Sequence, residues 1–325
     1  MKVAVIGAGM SGAACAVYLQ QQGVAVQLFD KGRSAGGRMS SKKQQGYLDL
    51  GAQYFTARHA DFIAQVAQWQ RAGVLEPWSG AIYRYQGGQL LRSSDQQCRY
   101  IGVPSMHAPL KAWLAPVSLQ LGSQITSLQY HQGWQLQSAQ GEIFGAFDYL
   151  VLALPAAQAK VLLEGKSLLA DQIEPGILQP CWAVNLQLVA PSGHTAGGIF
   201  VKDGAVPLSW LARQNSKPGR LNTESWLLHF TPDFSRQHLD TPPAQLADLA
   251  TSLLARILDR PVQLATASCH RWLYAQQDKS VSLPGLLHDP EQALLVCGDW
   301  TLGGRVENAF LSGREAARRV LQHAY

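Results

Sequence analysis

A glycine-rich turn near the start of the chain, VIGAGMSG at 5–12, constrains the fold more than any other feature. A short apolar, β-branched run at 2–6 precedes it, and a segment with helical spacing of apolar residues follows it and stops at Gly23. These patterns predict a buried parallel strand and a helix. A second apolar run, VAVQLFD, ends at Asp30. The order strand, turn, helix, strand predicts the first unit of a Rossmann-like α/β domain.

The spacing of the glycines and of the acidic residue gives this turn a chemical meaning. Gly7 permits the tight turn, Gly9 lets the backbone approach a pyrophosphate, and Gly12 lets the helix pack closely on the strand. The helix N-terminus offers unpaired N–H groups and a positive dipole end to phosphate. Asp30 lies 18 residues after Gly12, where a carboxylate accepts hydrogen bonds from ribose hydroxyls and disfavours a 2′-phosphate. The motif predicts dinucleotide binding without separating FAD from NAD.

Length, charge and cysteine content narrow the class of protein. The chain has 325 residues, 47% of them hydrophobic, which is enough for a large core and one or two domains. The net charge of +5 mildly favours anionic ligands, but the basic residues are scattered, so we expect no nucleic-acid binding. Five cysteines without ligand spacing predict neither a disulfide framework nor a metal site. Because the apolar runs are short and the N-terminus fits a secretion signal poorly, we predict a cytoplasmic protein without membrane contact.

A second glycine-rich segment, DKGRSAGGRMSS at 30–41, separates the two cofactors. With Gly36, Gly37 and Arg38 it resembles the Arg-x-Gly-Gly-Arg region of flavin amine oxidases and their relatives. In that family the loop folds back over the FAD diphosphate, and the arginine helps to neutralise it. A guanidinium together with backbone N–H groups can offset two phosphate charges.

The C-terminal segment ALLVCGDWTLGGRVENAFLSGREAARRVL resembles the second FAD motif of the same superfamily. It predicts a strand over 293–297, a turn at Gly298 and a helix that begins near Glu307. By this resemblance Asp299 binds the ribityl chain. The helix N-terminus near 306–308 faces the flavin O2 and stabilises negative charge on the reduced ring. A Rossmann domain that binds only NAD has no use for these features, so the resemblance favours FAD.

The resemblance implies a cofactor site assembled from both termini and from segments between them. The segment LDLGAQYFTA at 48–57 resembles the part of related flavoproteins that passes beside the isoalloxazine. The predicted FAD-binding residues are Gly7, Ala8, Gly9, Met10, Ser11, Gly12, Asp30, Lys31, Gly37, Arg38, Met39, Ala52, Gln53, Tyr54, Ile125, Leu154, Gly298, Asp299, Arg305, Val306 and Glu307.

FAD signals at both ends and in the middle predict a discontinuous organisation. LVLALPAAQAKVLL, which starts at 150, predicts a strand and a helix, and the alternating segment before it predicts a hairpin or small meander. We predict a glutathione-reductase-type Rossmann-like FAD domain and a discontinuous α+β substrate domain built on an antiparallel sheet. The FAD domain comprises 1–57, 105–158 and 286–325, and the substrate domain comprises 58–104 and 159–285.

The second of these domains is rich in aromatic residues on predicted strands. In SWLLHFT, strand alternation places Leu227 and His229 on one face and Trp226, Leu228 and Phe230 on the other. One face is predicted to pack on a core, and the other is free to cover the flavin. The predicted substrate pocket, which contains no obligatory acid or base, is lined by Gln53, Tyr54, Trp210, His229, Trp272 and Tyr274.

The chain as a whole resembles the bacterial renalase-like flavoproteins, a branch of the flavin amine oxidase superfamily. The most specific stretches are FDKGRSAGGRMSS, DLGAQYFTARH, LARQNSKP, HRWLYA and VCGDWTLGGRVENAFLSGREAARR. The resemblance implies an oxidase with non-covalently bound FAD that oxidises 2- or 6-dihydro isomers of NAD or NADP to NAD(P)+ and reduces O2 to H2O2. Its partners are then a small-molecule dinucleotide substrate and O2, and we expect a monomer or a weak dimer.

Three other functions remain open at this stage: an amine oxidase acting on a small-molecule amine, a non-catalytic flavin-binding protein, and a carotenoid or porphyrinogen desaturase. Many amine oxidases place a tyrosine after the C-terminal double glycine, where this chain has Arg305, and no cysteine lies beside that motif to bind flavin covalently. A dihydronicotinamide expels hydride from its own ring and yields an aromatic product. The protein must therefore mainly hold the donor in the reactive geometry.

Overall fold

A computed structural model describes residues 1–323 and shows alternating helices and strands. The helices are α1 (Met10–Gln21), α2 (Ala60–Arg71), α3 (Ala108–Trp113), α4 (Ala156–Leu163), α5 (Pro232–Gln237), α6 (Pro243–Leu258) and α7 (Val306–His323). The strands are β1 (Lys2–Ile6), β2 (Ala25–Phe29), β3 (Ser41–Lys43), β4 (Tyr47–Asp49), β5 (Leu75–Pro77), β6 (Ala81–Gln86), β7 (Gln89–Arg92), β8 (Tyr100–Gly102), β9 (Ser118–Gln120), β10 (Ile125–Tyr130), β11 (Trp134–Ser138), β12 (Ile143–Phe147), β13 (Tyr149–Leu152), β14 (Leu178–Leu188), β15 (Ala196–Val201), β16 (Leu208–Arg213), β17 (Ser225–Phe230), β18 (Leu264–Gln277), β19 (Leu287–Asp289) and β20 (Leu294–Val296).

A six-stranded sheet in the order β19-β20-β13-β1-β2-β9 unites the two ends of the chain. Strand β1 pairs in parallel with β2 and β13, and β13 pairs in parallel with β20. All residues of β13 and β20 are buried, as expected for strands covered on both faces. The predicted strand over 2–6 and the helix that follows it are confirmed. Because β1, β13 and β20 run in parallel, their carboxyl ends meet at one edge of the sheet.

A seven-stranded sheet in the order β18-β14-β17-β16-β15-β6-β7 forms the second layer. Five of its six strand pairs are antiparallel, but β15 and β6 pair in parallel, so the sheet that was predicted to be antiparallel is mixed. Strands joined by a short turn must run antiparallel. Strands β6 and β15 lie far apart in sequence, so no local turn fixes their relative direction.

Strand β17 confirms the predicted alternation of faces. Trp226, Leu228 and Phe230 are fully buried in a core that includes apolar residues of α6. On the opposite face, Leu227 packs with Leu50 from the segment after β4, which belongs to the other end of the chain. The face of the sheet that carries Leu227 therefore packs on the segment that follows β4.

Strands β10, β11 and β12 form a separate three-stranded sheet, which is the predicted antiparallel meander. The six-stranded sheet takes its strands from 1–57, 105–158 and 286–325, and the seven-stranded sheet from 58–104 and 159–285. The division into two domains at those boundaries stays a prediction. Among residues 1–323, no helix combines the length and the apolar character needed to cross a bilayer.

Candidate functional site

A cavity of about 1090 Å³ opens where β1, β13 and β20 end. Its walls come from the turn after β1, the loop after β2, the start of α4, and the turn between β20 and α7. Strand β18 of the seven-stranded sheet closes the remaining side. The volume is at the upper end of the range found for ligand pockets, about 300–1,000 Å³. The cavity therefore lies between the two sheets and is large enough for an extended cofactor.

The turn between β1 and α1 is shaped for a phosphate group. Gly7 has a φ of +108°, and a Cβ there would lie 2.4 Å from the Ala153 carbonyl oxygen. A Cβ on Gly12 would lie 1.8 Å from the Gly7 carbonyl oxygen, so only glycine lets the helix pack this closely. A Cβ on Gly9 would meet open space, and no side chain caps the start of α1. The N–H groups of the first helical turn are thus available to an anion in the cavity.

Asp30 is held by the backbone at the end of β2. Its Oδ2 accepts a hydrogen bond from the Ala8 N–H at 2.6 Å, and its Oδ1 accepts one from the Gly32 N–H at 2.6 Å. The side chain also lines the cavity. Because each carboxylate oxygen can accept two hydrogen bonds, both retain capacity for ribose hydroxyls.

Arg38 and Asp299 form an ion pair across the cavity wall. Both guanidinium Nη atoms donate to the Asp299 carboxylate, and Nη1 also donates to the Ala275 carbonyl oxygen of β18 at 3.0 Å. The sequence prediction assigned these two residues to separate parts of FAD. The structure shows that they also bind each other, because the loop after β2 and the turn after β20 meet at the same edge. Their roles toward the cofactor stay predictions.

Most of the predicted FAD-binding residues come together around this cavity. The residues that line it are Gly7, Gly9, Met10, Ser11, Asp30, Lys31, Gly37, Arg38, Met39, Ala52, Ile125, Leu154, Gly298, Asp299, Arg305 and Val306. Five others lie outside its lining, namely Ala8, Gly12, Gln53, Tyr54 and Glu307.

Three of these five residues, Ala8, Gly12 and Glu307, pack or bond within the segments that form the cavity. Ala8 and Gly12 are buried in the turn and in the face of α1 that packs on β1. The Glu307 Oε1 accepts hydrogen bonds from the Arg58 N–H at 2.6 Å and the His59 N–H at 2.7 Å. Glu307 therefore connects the start of α7 to the start of α2, and its contact with FAD stays a prediction.

Gln53 is buried in the turn after β4 and lies outside the cavity lining, so its predicted contact with cofactor or substrate stays a prediction. Its Nε2 donates to the carbonyl oxygens of Asp49, at 2.7 Å, and Gly51, at 2.9 Å. Its Oε1 accepts hydrogen bonds from Gln214 Nε2 at 3.0 Å and Lys217 Nζ at 2.9 Å. With all its polar atoms bonded inside the protein, Gln53 fixes the turn whose residues Gly51 and Ala52 do line the cavity.

Asp49, Lys217 and Arg220 form a fully buried ionic cluster beneath this turn. The Asp49 Oδ2 lies 3.1 Å from Lys217 Nζ and 2.8 Å from Arg220 Nη2. Burial by itself raises the pKa of Asp49, but the two cations outweigh it and hold the pKa of Asp49 below its ordinary value. Burial lowers the pKa of Lys217 to about 8, although Asp49 opposes this shift. Sequence reasoning missed this cluster, because Asp49 is separated from both cations by more than 160 positions.

Replacing Asp49 with asparagine will lower the free energy of unfolding by about 3–5 kcal/mol, because two buried cations lose their counter-charge. The pKa of Asp49 is lower in the folded protein than its ordinary 3.8, so its contribution is present above pH 3.8 and is lost as the pH falls further. The D49N variant will lack this part of the acid dependence. Urea unfolding at several pH values measures both effects. D248N, at an exposed position on α6, serves as the control, and equal losses of stability in the two variants would contradict the account.

Tyr54 and Trp210 belong to an aromatic cluster outside the lining of the large cavity, so their place in the substrate pocket stays a prediction. The Tyr54 ring lies 5.4 Å from the Trp210 ring and 6.1 Å from the Trp78 ring, between centroids. The Trp210 ring lies 4.6 Å from that of Phe200. Strand alternation cannot tell which part of a sheet face lies above the cavity.

His229, Trp272 and Tyr274 do line the cavity. The Leu50 carbonyl oxygen accepts hydrogen bonds from the Trp272 Nε1–H and from His229 Nε2, both at 3.0 Å. Because a carbonyl can only accept, the His229 proton is assigned to Nε2. Burial lowers the pKa of His229 to about 4, so this imidazole is neutral at pH 7. A single carbonyl thus fixes the orientation of both rings.

Two further residues of this wall were not predicted. His270 lines the cavity, and its ring lies 4.3 Å from that of Trp272. Cys181 of β14 also lines it, and burial raises the pKa of its thiol to about 12. Alternation along β18 puts positions 270, 272 and 274 on one face, and this pattern could have identified His270. His270 and Cys181 thus add a ring and a buried thiol to the aromatic part of the lining, which also includes Arg271.

Comparisons with known proteins decide the family. The profile of NAD(P)-binding Rossmann-like domains matches residues 5–66, and that of flavin containing amine oxidoreductases matches residues 79–321. The chain belongs to the flavin-containing amine oxidoreductase family. Renalase of Mus musculus is 26% identical over 331 aligned positions, which cover 91% of this chain and 92% of renalase.

Solved structures of other proteins share the fold of this chain. An Exiguobacterium sp. 255-15 protein, provisionally named a protoporphyrinogen oxidase, superposes with a TM-score of 0.76 at 11% identity. Cyclohexylamine oxidase from Brevibacterium oxydans IH-35A superposes with a TM-score of 0.74 at 14% identity. Each comparison covers 99% of both chains. At these identities the similarity concerns the fold alone.

Family membership and the cavity together identify the cofactor as FAD. The open approach at Gly9, the uncapped start of α1 and the carboxylate of Asp30 fit a diphosphate and a ribose. This flavin-containing amine oxidoreductase is therefore an FAD-dependent oxidoreductase that is similar to renalase. Within residues 1–323, no group of three or more histidine, cysteine, aspartate or glutamate side chains is placed to hold a metal ion.

Proposed function

We propose that this protein oxidises 2- and 6-dihydro isomers of NAD or NADP to NAD(P)+ and transfers the electrons to O2. One proton is consumed for each dihydronicotinamide and each O2, and one H2O2 forms. The observation that supports this most is the group of four rings, His229, His270, Trp272 and Tyr274, that lines one part of the cavity. The similarity to mouse renalase over nearly the full length of both chains supports it further.

The chemistry requires positioning rather than acid–base catalysis by the protein. A bound flavin accepts hydride from a donor ring and returns two electrons to O2. Trp272 presents its ring to the cavity, and the hydrogen bond from its Nε1 to the Leu50 carbonyl oxygen prevents the ring from turning. His229 is held by the same carbonyl and stays neutral, so it adds no charge that would compete with a cationic product. These groups restrict a flat donor to few orientations.

The start of α7 adds positive charge to the cavity lining. Helix α7 begins at Val306, which lines the cavity together with Arg305. The N-terminal end of a helix carries a partial positive charge, so it would stabilise negative charge that develops when the donor is oxidised. Aromatic rings and a positive helix end in one cavity suit oxidation of an electron-rich ring.

Oxygen uptake by the purified holoprotein tests the proposal. The donors are 2-dihydro and 6-dihydro isomers of NAD and NADP, with cyclohexylamine and putrescine as amines. We expect the isomers to drive O2 consumption with one H2O2 for each NAD(P)+ formed, and the amines to leave the rate at background. Uptake with amines alone would replace the proposal by amine oxidation. If none of these donors causes O2 uptake, the result would indicate a flavin-binding protein without catalytic activity.

We further propose that FAD is bound non-covalently, that the protein is a monomer or a weak dimer, and that it works in the cytoplasm. All five cysteines are free thiols, which is the usual state in a reducing compartment. The segments 1–57, 105–158 and 286–325 act as the FAD-binding domain, and 58–104 and 159–285 as the substrate domain. Heat precipitation that leaves the yellow colour in the pellet would contradict non-covalent binding.

A further inference from the structure

A second cavity, of about 400 Å³, lies between the segments 78–82 and 92–99. Two backbone hydrogen bonds frame it. The Trp78 N–H donates to the Arg99 carbonyl oxygen at 2.7 Å, and the Ser93 N–H donates to the Ile82 carbonyl oxygen at 2.8 Å. Between these two hydrogen bonds one segment has three residues, 79–81, and the other has five, 94–98. Because the two lengths differ, the backbones separate and leave a space. The residues that line this second cavity lie outside the lining of the flavin cavity.

A buried arginine with spare donors lines this space. Arg99 is only 5% exposed, yet it contributes to the cavity wall. One Nη donates to the Asp95 carboxylate and the other to the Gln97 carbonyl oxygen at 3.1 Å, while its buried Nε has no hydrogen-bond partner. A guanidinium carries five N–H donors; these two bonds use two of them, and the Tyr54 hydroxyl lies within reach of a third. Because Arg99 contributes to the cavity wall, the donor capacity that remains is available to an acceptor in the cavity.

Aromatic rings hold this guanidinium in place. Its central carbon lies 5.2 Å from the centre of the Tyr54 ring and 5.8 Å from that of the Phe200 ring. Trp78 forms part of the cavity wall. Stacking on aromatic faces fixes the plane of an arginine without using its N–H groups, which stay in that plane. The donors of Arg99 are therefore preorganised.

We propose that this second cavity binds a small oxyanion, a carboxylate or a phosphoryl group, through the guanidinium of Arg99. Both groups present two oxygens that match the paired N–H donors of arginine. Exposed Arg92 also lines the cavity, so two positive charges face the single negative charge of Asp95. This balance favours an anion over a cation. This proposal for an anion site is independent of the proposed function, because it holds whichever donor reduces the flavin.

Calorimetric titration of the holoprotein tests the site, with inorganic phosphate and acetate as separate probes at constant ionic strength. In the holoprotein FAD occupies the start of α1, so added phosphate does not report on that helix. The R99K variant keeps a charge beside Asp95 but loses the planar fork, and R92Q changes only an exposed residue. R84Q is the control, since Arg84 is exposed on β6 and lies outside the cavity lining.

We expect one saturable site per chain, with affinity about tenfold weaker in R99K and about threefold weaker in R92Q, and unchanged in R84Q. Saturation by phosphate alone identifies a phosphoryl ligand, and saturation by acetate alone identifies a carboxylate; either supports the site. No saturable binding of either probe would overturn the proposal. Equal affinity in the wild type, R99K and R92Q would also overturn it. If R99K does not fold, the affinities of R92Q and R84Q are compared instead: weaker binding in R92Q alone supports the site, and equal affinities overturn the proposal.

Discussion

Alanine at position 12 will lower the free energy of unfolding by about 3 kcal/mol and abolish retention of FAD. A Cβ at Gly12 would lie 1.8 Å from the Gly7 carbonyl oxygen, which is backbone and cannot rotate away. Helix α1 must then move away from β1 and take the phosphate-binding turn with it. The gain in helix propensity from glycine to alanine, about 1 kcal/mol, does not offset this clash. Urea unfolding and the ratio of bound FAD to protein measure the two effects.

Alanine at position 9 is the matched control. Gly9 has a φ of −77° and a ψ of −174°, which alanine adopts without strain, and a Cβ there would have no neighbour within 4 Å. We expect the stability of G9A to stay within about 0.5 kcal/mol of the wild type. Its affinity for FAD will fall about tenfold, because the new methyl group occupies the approach to the cavity. Wild-type stability in G12A, or equal loss of stability in both variants, would contradict this account of the turn.

Replacing Trp272 with alanine will slow reduction of the flavin by its donor about 100-fold while FAD stays bound. The indole ring faces the cavity and is fixed by its hydrogen bond to the Leu50 carbonyl oxygen, so its loss leaves the donor free to adopt unreactive orientations. Phenylalanine keeps a ring but lacks the N–H donor, and we expect W272F to be intermediate. Anaerobic rapid mixing, followed by loss of the visible flavin absorption, gives the rate for each variant.

Tyr54 provides the control for this experiment. Its ring packs against Trp78 and Trp210 outside the flavin cavity, so Y54F will reduce within about twofold of the wild-type rate. If Y54F slows reduction as much as W272A does, the donor occupies the aromatic cluster instead of the cavity below β18. Unchanged reduction in W272A would exclude Trp272 from the substrate pocket.

Local sequence patterns predicted the parts of the site that depend on local geometry. The glycine-rich turn, the strand that ends before Asp30 and the turn at Gly298 each carry their own conformational requirement, and their residues meet at one sheet edge. The alternation in β17 likewise follows from strand geometry alone. These features needed no knowledge of how distant segments pack.

The parts that the sequence did not reveal depend on packing between distant segments. Gln53 bonds with Gln214 and Lys217, more than 160 positions away, and this buried network removes it from the cavity. The Trp210 ring packs beside Tyr54, outside the lining of the flavin cavity, and this contact joins two segments that are far apart in sequence. The pairing of Arg38 with Asp299 also arises only when the two termini come together.

Anaerobic mixing of the holoprotein with 6-dihydro-NAD tests the central claim most directly. The account predicts rapid bleaching of the flavin, with one NAD+ formed for each flavin reduced, and no comparable bleaching by cyclohexylamine at the same concentration. Rapid bleaching by the amine, with the flavin remaining oxidised in the presence of every dihydronicotinamide isomer, would contradict it.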